Sequence, residues 1–239
     1  MKKWLFFLWL ACLSCGLMAE TLVVGIPDPG RKPFFWQDQD KQFRGSYIRL
    51  LKRIGTLVGV DIEFRMVPQS RLIVEFDKNT IHIEPGIAPE WRTSAKELEI
   101  SRYTQAFTQI DDVLIQRKDH SWTKIASLAD LQKQPQLNIG QVRGFHVPDG
   151  IKATLLPSEM DIARLVHEGA LDVGFMNDRV ATYFKTAYGF NYEISAPIAS
   201  TPVSLRFHRL DEKWIKPFDR AITQLRNTGE LNKLLSEYS

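Results

Sequence analysis

The sequence predicts an α/β fold that contains two successive α/β units. In the first unit, strands at residues 21–26, 61–67 and 81–84 are separated by two helices, an order that indicates a parallel sheet with right-handed crossovers. In the second unit, strands at 137–142 and 171–176 flank a helix. A long helix then follows an extended return. Two facing units would place the loops at their strand ends on either side of one cleft.

The segment 81–92 is the most informative part of the first unit. Its first four positions alternate apolar and polar residues, as in a short strand. Pro85 and Gly86 are expected to end that strand, and Pro89 suits the first position of a new helix. Exposed N–H groups at a helix start, with Arg92 beside them, would favour an anion. The alternative is an ordinary turn with a solvated arginine.

The N-terminus predicts a secretory signal peptide at residues 1–19. Lys2 and Lys3 precede a short apolar run, and the small residue Ala19 stands before the expected cleavage site. No later apolar run is long enough to span a bilayer. A lipid anchor at Cys15 is the alternative, although the residues before it match a lipobox poorly. The sequence therefore predicts a periplasmic protein without an anchor.

Composition argues against several classes of function. Both cysteines lie in the predicted signal, so the mature chain has neither a disulfide nor a thiolate metal site. Loss of Lys2 and Lys3 leaves 29 basic residues against 28 acidic ones, a net charge of +1, and no segment concentrates basic charge for nucleic acid. The five histidines lack metal-ligand spacing, and no nucleophile or phosphate-loop motif is present. We therefore expect no catalytic residues, no metal and no cofactor.

Short motifs in a characteristic order cover nearly the whole mature chain. They lie at residues 22–26, 32–34, 38–45, 87–92, 127–131, 139–144, 168–172 and 225–238. In this order they resemble the extracellular solute-binding proteins of family 3, which are receptors of polar amino-acid ABC importers.

The resemblance implies a type II periplasmic-binding-protein-like fold, in which two α/β lobes are joined by two crossing strands. Lobe one would comprise residues 20–108 plus 201–239, and lobe two residues 109–200. The expected ligand is a small anionic or zwitterionic solute in the cleft, and the expected protein is a monomer. The membrane partner would be the permease of an ABC importer. A membrane sensor is the alternative partner, because the solute site would look the same.

The resemblance also assigns the carboxylate-binding groups. The family's carboxylate-binding arginine falls at Arg92, or at Trp91 if no residue is inserted. The loop of lobe two that supports the carboxylate falls at Arg143, Gly144 and Phe145.

Three positions depart from the family pattern. Gly86 stands where the family often has a ligand-binding serine. The aspartate that pairs with an amino acid's ammonium falls at Asn177, although Asp178 could substitute. At a position in the first helix where relatives have an acidic residue, this sequence has Tyr47. These departures argue against an ordinary α-amino-acid ligand.

Charged side chains on the loops predicted to face the cleft add further candidates. Arg71, Arg92 and Arg143 could bind a carboxylate in a bidentate manner, whereas Arg179 is expected only in a surface ion pair. Glu84 could bind a ligand amine or accept a hydrogen bond from its own loop.

Aromatic side chains could form a wall that stacks on the ligand, with core packing as the alternative. The candidates are Phe35, Trp36, Trp91 and Phe145, with Asp28 in the adjoining loop at 27–32 as a polar contact.

Some relatives of the resembled fold are dehydratases acting on small acids. Glu84 with Glu90 or Asp178 could then form an acid/base pair. The sequence favours binding over turnover.

Overall fold

The computed structural model describes residues 20–118, 125–143, 145 and 147–236. The strands are β1 (Thr21–Pro27), β2 (Trp36–Gln37), β3 (Phe43–Arg44), β4 (Asp61–Val67), β5 (Ile83–Ile87), β6 (Ser101–Tyr103), β7 (Thr108–Arg117), β8 (Ile139–Val142), β9 (Thr154–Leu156), β10 (Val173–Asn177), β11 (Tyr192–Ile194) and β12 (Ala199–His208). The helices are α1 (Ser46–Val58), α2 (Gln69–Asp77), α3 (Ala95–Ile100), α4 (Leu128–Gln132), α5 (Glu159–Glu168), α6 (Asp178–Tyr188), α7 (Ile215–Asn227) and α8 (Glu230–Ser236), with 3-10 turns at Pro89–Trp91 and Arg209–Trp214. Within these ranges, every helix is too short or too polar to cross a membrane.

The strands form one long curled sheet whose two halves belong to two α/β lobes. The order is β4-β1-β5-β12-β7-β10-β8-β9, with β6 beside β12 and β11 beside β7. In lobe one, β1 pairs in parallel with β4 along its whole length and with β5 near Val24. In lobe two, β10 pairs in parallel with β8 and antiparallel with β7. The α/β class and the two-lobed architecture predicted from the sequence are confirmed.

Two long antiparallel strands connect the lobes. Residues 108–112 of β7 pair with 199–203 of β12 in continuous register. Beyond this segment β12 continues beside β5 in lobe one, and β7 continues beside β10 in lobe two. The lobe boundaries at residues 108 and 201 stay predictions, and they fall inside this strand pair.

Three local features differ from the sequence-based expectation. Pro85 and Gly86 do not end β5, because the strand continues to Ile87 with a register irregularity where Pro85 faces Leu205. The helix expected at Pro89 is a three-residue 3-10 turn. The terminal helix is two helices, since Gly229 adopts a φ of +74° between α7 and α8.

The apolar face of α1 positions the cleft wall. Ile48, Leu51 and Ile54 are buried as their spacing predicts. The N-terminal capping position of α1 is Gly45, with a φ of +121°. A side chain at Gly45 would meet the backbone of Phe34, so this tight approach requires glycine.

Candidate functional site

A cavity of about 130 Å³ lies where β1 and β5 end in lobe one. Its wall combines loop, strand and helix residues of lobe one with Ile110 from β7. The polar and aromatic part of the lining consists of Arg31, Phe34, Phe35, Tyr47, Gln69, Glu84, Trp91 and Arg92. The prediction of a ligand site at the ends of these strands therefore has a matching cavity.

Glu84 lies in this wall within a buried charge network. Its carboxylate accepts a short hydrogen bond from Nη1 of Arg206, and both side chains are 4% exposed. Arg206 also donates to Oγ of Ser101 at 2.8 Å, and its guanidinium carbon lies 4.0 Å from the centre of the Phe76 ring. The other carboxylate oxygen of Glu84 is 3.5 Å from Nη2 of Arg92. Glu84 is thus paired with two cations, which leaves it poorly placed to accept a ligand amine.

Arg92 faces the cavity from the 3-10 turn. Its Nη2 approaches Glu84 and its Nε approaches Glu97, each at 3.5 Å, and its side chain is 19% exposed. Two carboxylates thus hold the guanidinium in place at distances beyond a good hydrogen bond. Trp91, the alternative position, also lines the cavity but is 45% exposed.

Tyr47 and Gly86 fit together in the floor of the cavity. Gly86 has a φ of +73°, and a β-carbon there would lie 2.5 Å from Cε2 of Tyr47. The Tyr47 ring packs 4.9 Å from Phe34 and edge-on to Phe107 at 5.0 Å between ring centres. The ring therefore occupies the space that a serine side chain at position 86 would need.

Contacts across the cleft join the two lobes. Nε and Nη2 of Arg31 donate to the two carboxylate oxygens of Glu159 at 2.9 and 2.7 Å. The Arg31 guanidinium carbon also lies 5.5 Å from the Phe34 ring centre and 5.8 Å from that of Phe145. Burial works to lower the pKa of Arg31, but the Glu159 carboxylate outweighs it and the net shift is upward. Trp36 approaches Tyr183 of α6 at 6.3 Å between ring centres.

The edge of lobe two presents three consecutive polar residues. Oδ1 of Asn177 accepts from the backbone N–H groups of Arg179 and Val180, and its Nδ2 donates to the Asp111 carbonyl at 3.2 Å. Asn177 is therefore a buried helix cap rather than a free side chain. Burial raises the pKa of Asp178, and backbone and side chain of Arg179 act against that shift.

Arg179 is expected from the sequence only in a surface ion pair, and the structure corrects this. Its side chain is half-buried, and Nη2 donates to Oγ1 of Thr108 on the connecting strand at 3.3 Å. Its Nη1 atom is buried and has no hydrogen-bond partner within the described part of the chain.

The structure brings some of the predicted site residues together and separates others. Phe35, Glu84, Gly86 and Arg92 line the cavity, and Trp36, Phe145, Asn177 and Asp178 lie at the junction with lobe two. Arg71 is 69% exposed and pairs with Glu75 on its own helix, outside the cavity lining. Asp28 and Arg143 are exposed. Gly144 lies outside the described residues.

Three contributors to this region, Arg31, Glu159 and Arg206, were missed as site residues. Arg31 and Glu159 lie 128 residues apart, and Glu84 and Arg206 lie 122 apart, so no local spacing connects either pair. A charged loop at 27–32 and an acidic first turn of α5 were the available signals for the first pair. No signal in the sequence identified Arg206. Among the side chains that the structure describes, no group of three or more histidine, cysteine or acidic residues could hold a metal.

The family model described as bacterial extracellular solute-binding proteins, family 3, matches residues 22–239. A similar curated protein is the arginine-binding extracellular protein ArtP of Bacillus subtilis (strain 168), 22% identical over 265 residues that cover all of this chain and 98% of that protein. The family and this relative are binding proteins, not enzymes.

Solved structures share the fold. A histidine kinase sensor domain with similarity to periplasmic binding proteins has a TM-score of 0.73 and 20% identity, covering 92% of this chain and 96% of that one. The substrate-binding protein of an amino-acid ABC transporter has a TM-score of 0.69 and 16% identity, covering 91% and 98%. At these identities the likeness concerns the fold.

Proposed function

Since this chain belongs to family 3 of the bacterial extracellular solute-binding proteins, we propose that it is a periplasmic receptor that holds an amino acid or amino-acid-like solute between its lobes. Members of the family bind small solutes and deliver them to the permeases of ABC transporters. The signal at residues 1–19 would export the chain, and the mature protein would act as a monomer. The arginine-binding relative supports an amino-acid-like solute.

The observation that carries this proposal is the charge balance around the cavity. Glu84 lies between Arg92 and Arg206, so two guanidinium groups share one carboxylate. Glu97, the second carboxylate beside Arg92, is 33% exposed and 3.5 Å away, so solvent screens it and it offsets the positive charge of Arg92 only in part. Arg92 is more exposed than Glu84 or Arg206 and is the group that can bind the anionic end of a ligand. Arginine recognises a carboxylate through two parallel hydrogen bonds. Asp178 on lobe two is the candidate for the ammonium of a zwitterion.

We propose that the receptor delivers its bound solute to the permease of an ABC importer. The alternative is a receptor that delivers its signal to a membrane sensor. The structural likeness to a histidine kinase sensor domain is the reason for this alternative. The solute site would be the same in both cases. Pull-down of the permease or of a sensor kinase with the ligand-loaded receptor separates the two, because only the true partner should be retained.

Ligand binding tests the proposal directly. A thermal-shift screen of the purified protein over amino acids, opines, small carboxylates and polyamines should give at least one compound that raises the melting temperature through mass action. Closure of the lobes should accompany binding and reduce the radius of gyration in X-ray scattering. A screen without any stabilising compound would contradict the proposal, and steady release of a product would favour an enzyme.

A further inference from the structure

The hydroxyl of Tyr47 is a buried polar group in the wall of the candidate site. Tyr47 is 2% exposed and lines the cavity, and its Oη atom has no hydrogen-bond partner among the residues that the structure describes. A buried hydroxyl that loses water without gaining a partner destabilises the folded protein. A ligand that fills the cavity could supply a hydrogen-bond acceptor for this hydroxyl. The new hydrogen bond would then contribute to the binding free energy.

The chemical surroundings of this hydroxyl favour a ligand atom that accepts a hydrogen bond. Burial raises the pKa of Tyr47, so the hydroxyl stays protonated and can donate at neutral pH. Among the charges that act on it, the cations Arg179 and Arg31 have more effect than the anion Asp178. The buried Nη1 donor of Arg179 also lacks a hydrogen-bond partner among the described side chains and backbone groups. An acceptor oxygen is the group that satisfies such donors.

The cavity offers no free carboxylate to a cationic side chain. Among its described lining residues, Glu84 is the only acidic one, and it is already paired with Arg92 and Arg206. Bringing a guanidinium or ammonium group beside Arg31 and Arg92 would place like charges together in a partly desolvated space. The cavity therefore discriminates against a ligand with a positive distal end.

We propose that Tyr47 is a specificity-determining residue whose hydroxyl binds a carboxylate or carboxamide at the distal end of the ligand. This inference rests on the proposed solute-binding function and narrows its substrate class. It also sets the chain apart from its arginine-binding relative. The packing of Tyr47 against Gly86 fixes the ring, so a hydrogen bond to the hydroxyl would cost little further loss of side-chain freedom.

Calorimetric titration with five probes tests the substrate class. The probes are L-glutamate, L-glutamine, L-norvaline, L-arginine and L-lysine, in which norvaline lacks any distal polar group. Wild-type protein should bind glutamate or glutamine at least about tenfold more tightly than norvaline, because a buried donor gains a partner. Tighter binding of arginine or lysine than of both oxygen-bearing probes would overturn the inference while leaving solute binding intact.

Tyr47→Phe isolates the hydroxyl, because phenylalanine keeps the ring packing. Its affinity for the preferred probe should fall about 10- to 100-fold, whereas its affinity for norvaline should not change. The melting temperature of the ligand-free variant should equal or exceed that of wild type, since the variant loses an unsatisfied group. A variant that binds the preferred probe as tightly as wild type would contradict the role of Tyr47.

Tyr192→Phe is the matched control. Tyr192 is also fully buried, but its hydroxyl donates to the Ala181 carbonyl at 2.6 Å within lobe two. This variant should melt below wild type and bind the probes unchanged, the opposite pattern to Tyr47→Phe. If wild type binds none of the five probes, the inference is wrong. If the wider compound panel fails as well, the proposed function is wrong too.

Discussion

Arg31 and Glu159 form a two-point ion pair across the cleft between the two lobes. The hydrogen bonds of 2.9 and 2.7 Å connect the loop after β1 in lobe one to the first residue of α5 in lobe two. The pair is partly buried, with 26% and 11% of the two side chains exposed. The ion pair therefore favours closure of the lobes in addition to any contribution from a ligand.

Glu159→Gln should open the ligand-free protein. The amide keeps the shape of the side chain but removes the charge, so the pair should lose about 1–2 kcal/mol, between the values for exposed and buried pairs. The ligand must then supply more of the closure energy, and affinity should fall about 5- to 30-fold. X-ray scattering of the ligand-free variant should give a larger radius of gyration than wild type.

Glu168→Gln on the same helix is the control. Glu168 pairs with Arg164 at 3.0 Å, but both side chains are about half exposed, at 48% and 46%. This variant should leave the scattering profile and the affinity unchanged. Equal profiles for wild type and Glu159→Gln would mean that the ion pair does not hold the lobes together.

Arg92→Ala should weaken ligand binding by about 2–4 kcal/mol, roughly 30- to 1000-fold, because the bound anion loses its charged partner. Folding should change little, since Glu84 keeps its pair with Arg206. Arg92→Lys keeps the charge but loses the planar fork, so calorimetry on both variants separates geometry from simple attraction. Wild-type affinity in Arg92→Ala would indicate that a different arginine takes the anion, such as Arg31.

Gly86→Ala should lower the free energy of unfolding by about 2–4 kcal/mol, because it combines a left-handed backbone with a clash against Tyr47. Gly189→Ala provides the control, since Gly189 has a φ of +70° and a β-carbon added there would have no atom of a described residue within 4 Å. That variant should lose only about 1–2 kcal/mol. Urea unfolding measures both, and equal losses would contradict the close fit of Tyr47 and Gly86.

Asn177→Asp should destabilise the protein by about 1–3 kcal/mol rather than create a better amino-acid site. The aspartate can still cap α6, but it loses the Nδ2 donor and places an oxygen opposite the Asp111 carbonyl. Thermal unfolding measures the loss, and titration with α-amino acids measures any gain. Improved amino-acid binding at unchanged stability would show that the cap tolerates a ligand-directed carboxylate.

Asp178→Asn should stabilise the ligand-free protein at neutral pH. Burial raises the pKa of Asp178 above that of the unfolded chain, so the folded protein binds this proton more tightly. The resulting stabilisation of wild type is fully present below the unfolded pKa of about 4 and is lost as pH rises through the folded value. The variant should therefore melt above wild type only at the higher pH values. A constant difference in melting temperature across pH would contradict this interpretation.

The parts of the fold that depend on local pattern were predictable. Strand alternation and helix periodicity located β1, β4, α1 and α2. The segment 81–92 contributes residues to the cavity lining, although β5 continues through Pro85 and Gly86 and a 3-10 turn replaces the expected helix. These features follow from neighbours in sequence, which periodicity and turn chemistry record directly.

The pairing of charges was not predictable. Arg71 and Arg92 looked equivalent in the sequence, yet Arg71 faces solvent with a partner one helical turn away, whereas Arg92 faces a buried carboxylate. Glu84 looked available to a ligand because its partner Arg206 comes from the far end of the chain. Which cation pairs with which anion depends on the order of the strands in the sheet. Residues that are adjacent in sequence do not indicate that order.

The strand pair β7–β12 limits how the receptor can move. A ribbon of two hydrogen-bonded strands bends easily out of its plane, but shear within the plane would break the ladder between residues 108–112 and 199–203. The main relative motion of the lobes is consequently a hinge rotation about this strand pair. A membrane protein that contacts the outer surface of the lobes would therefore distinguish only an open and a closed conformation, whatever the chemistry of the bound solute.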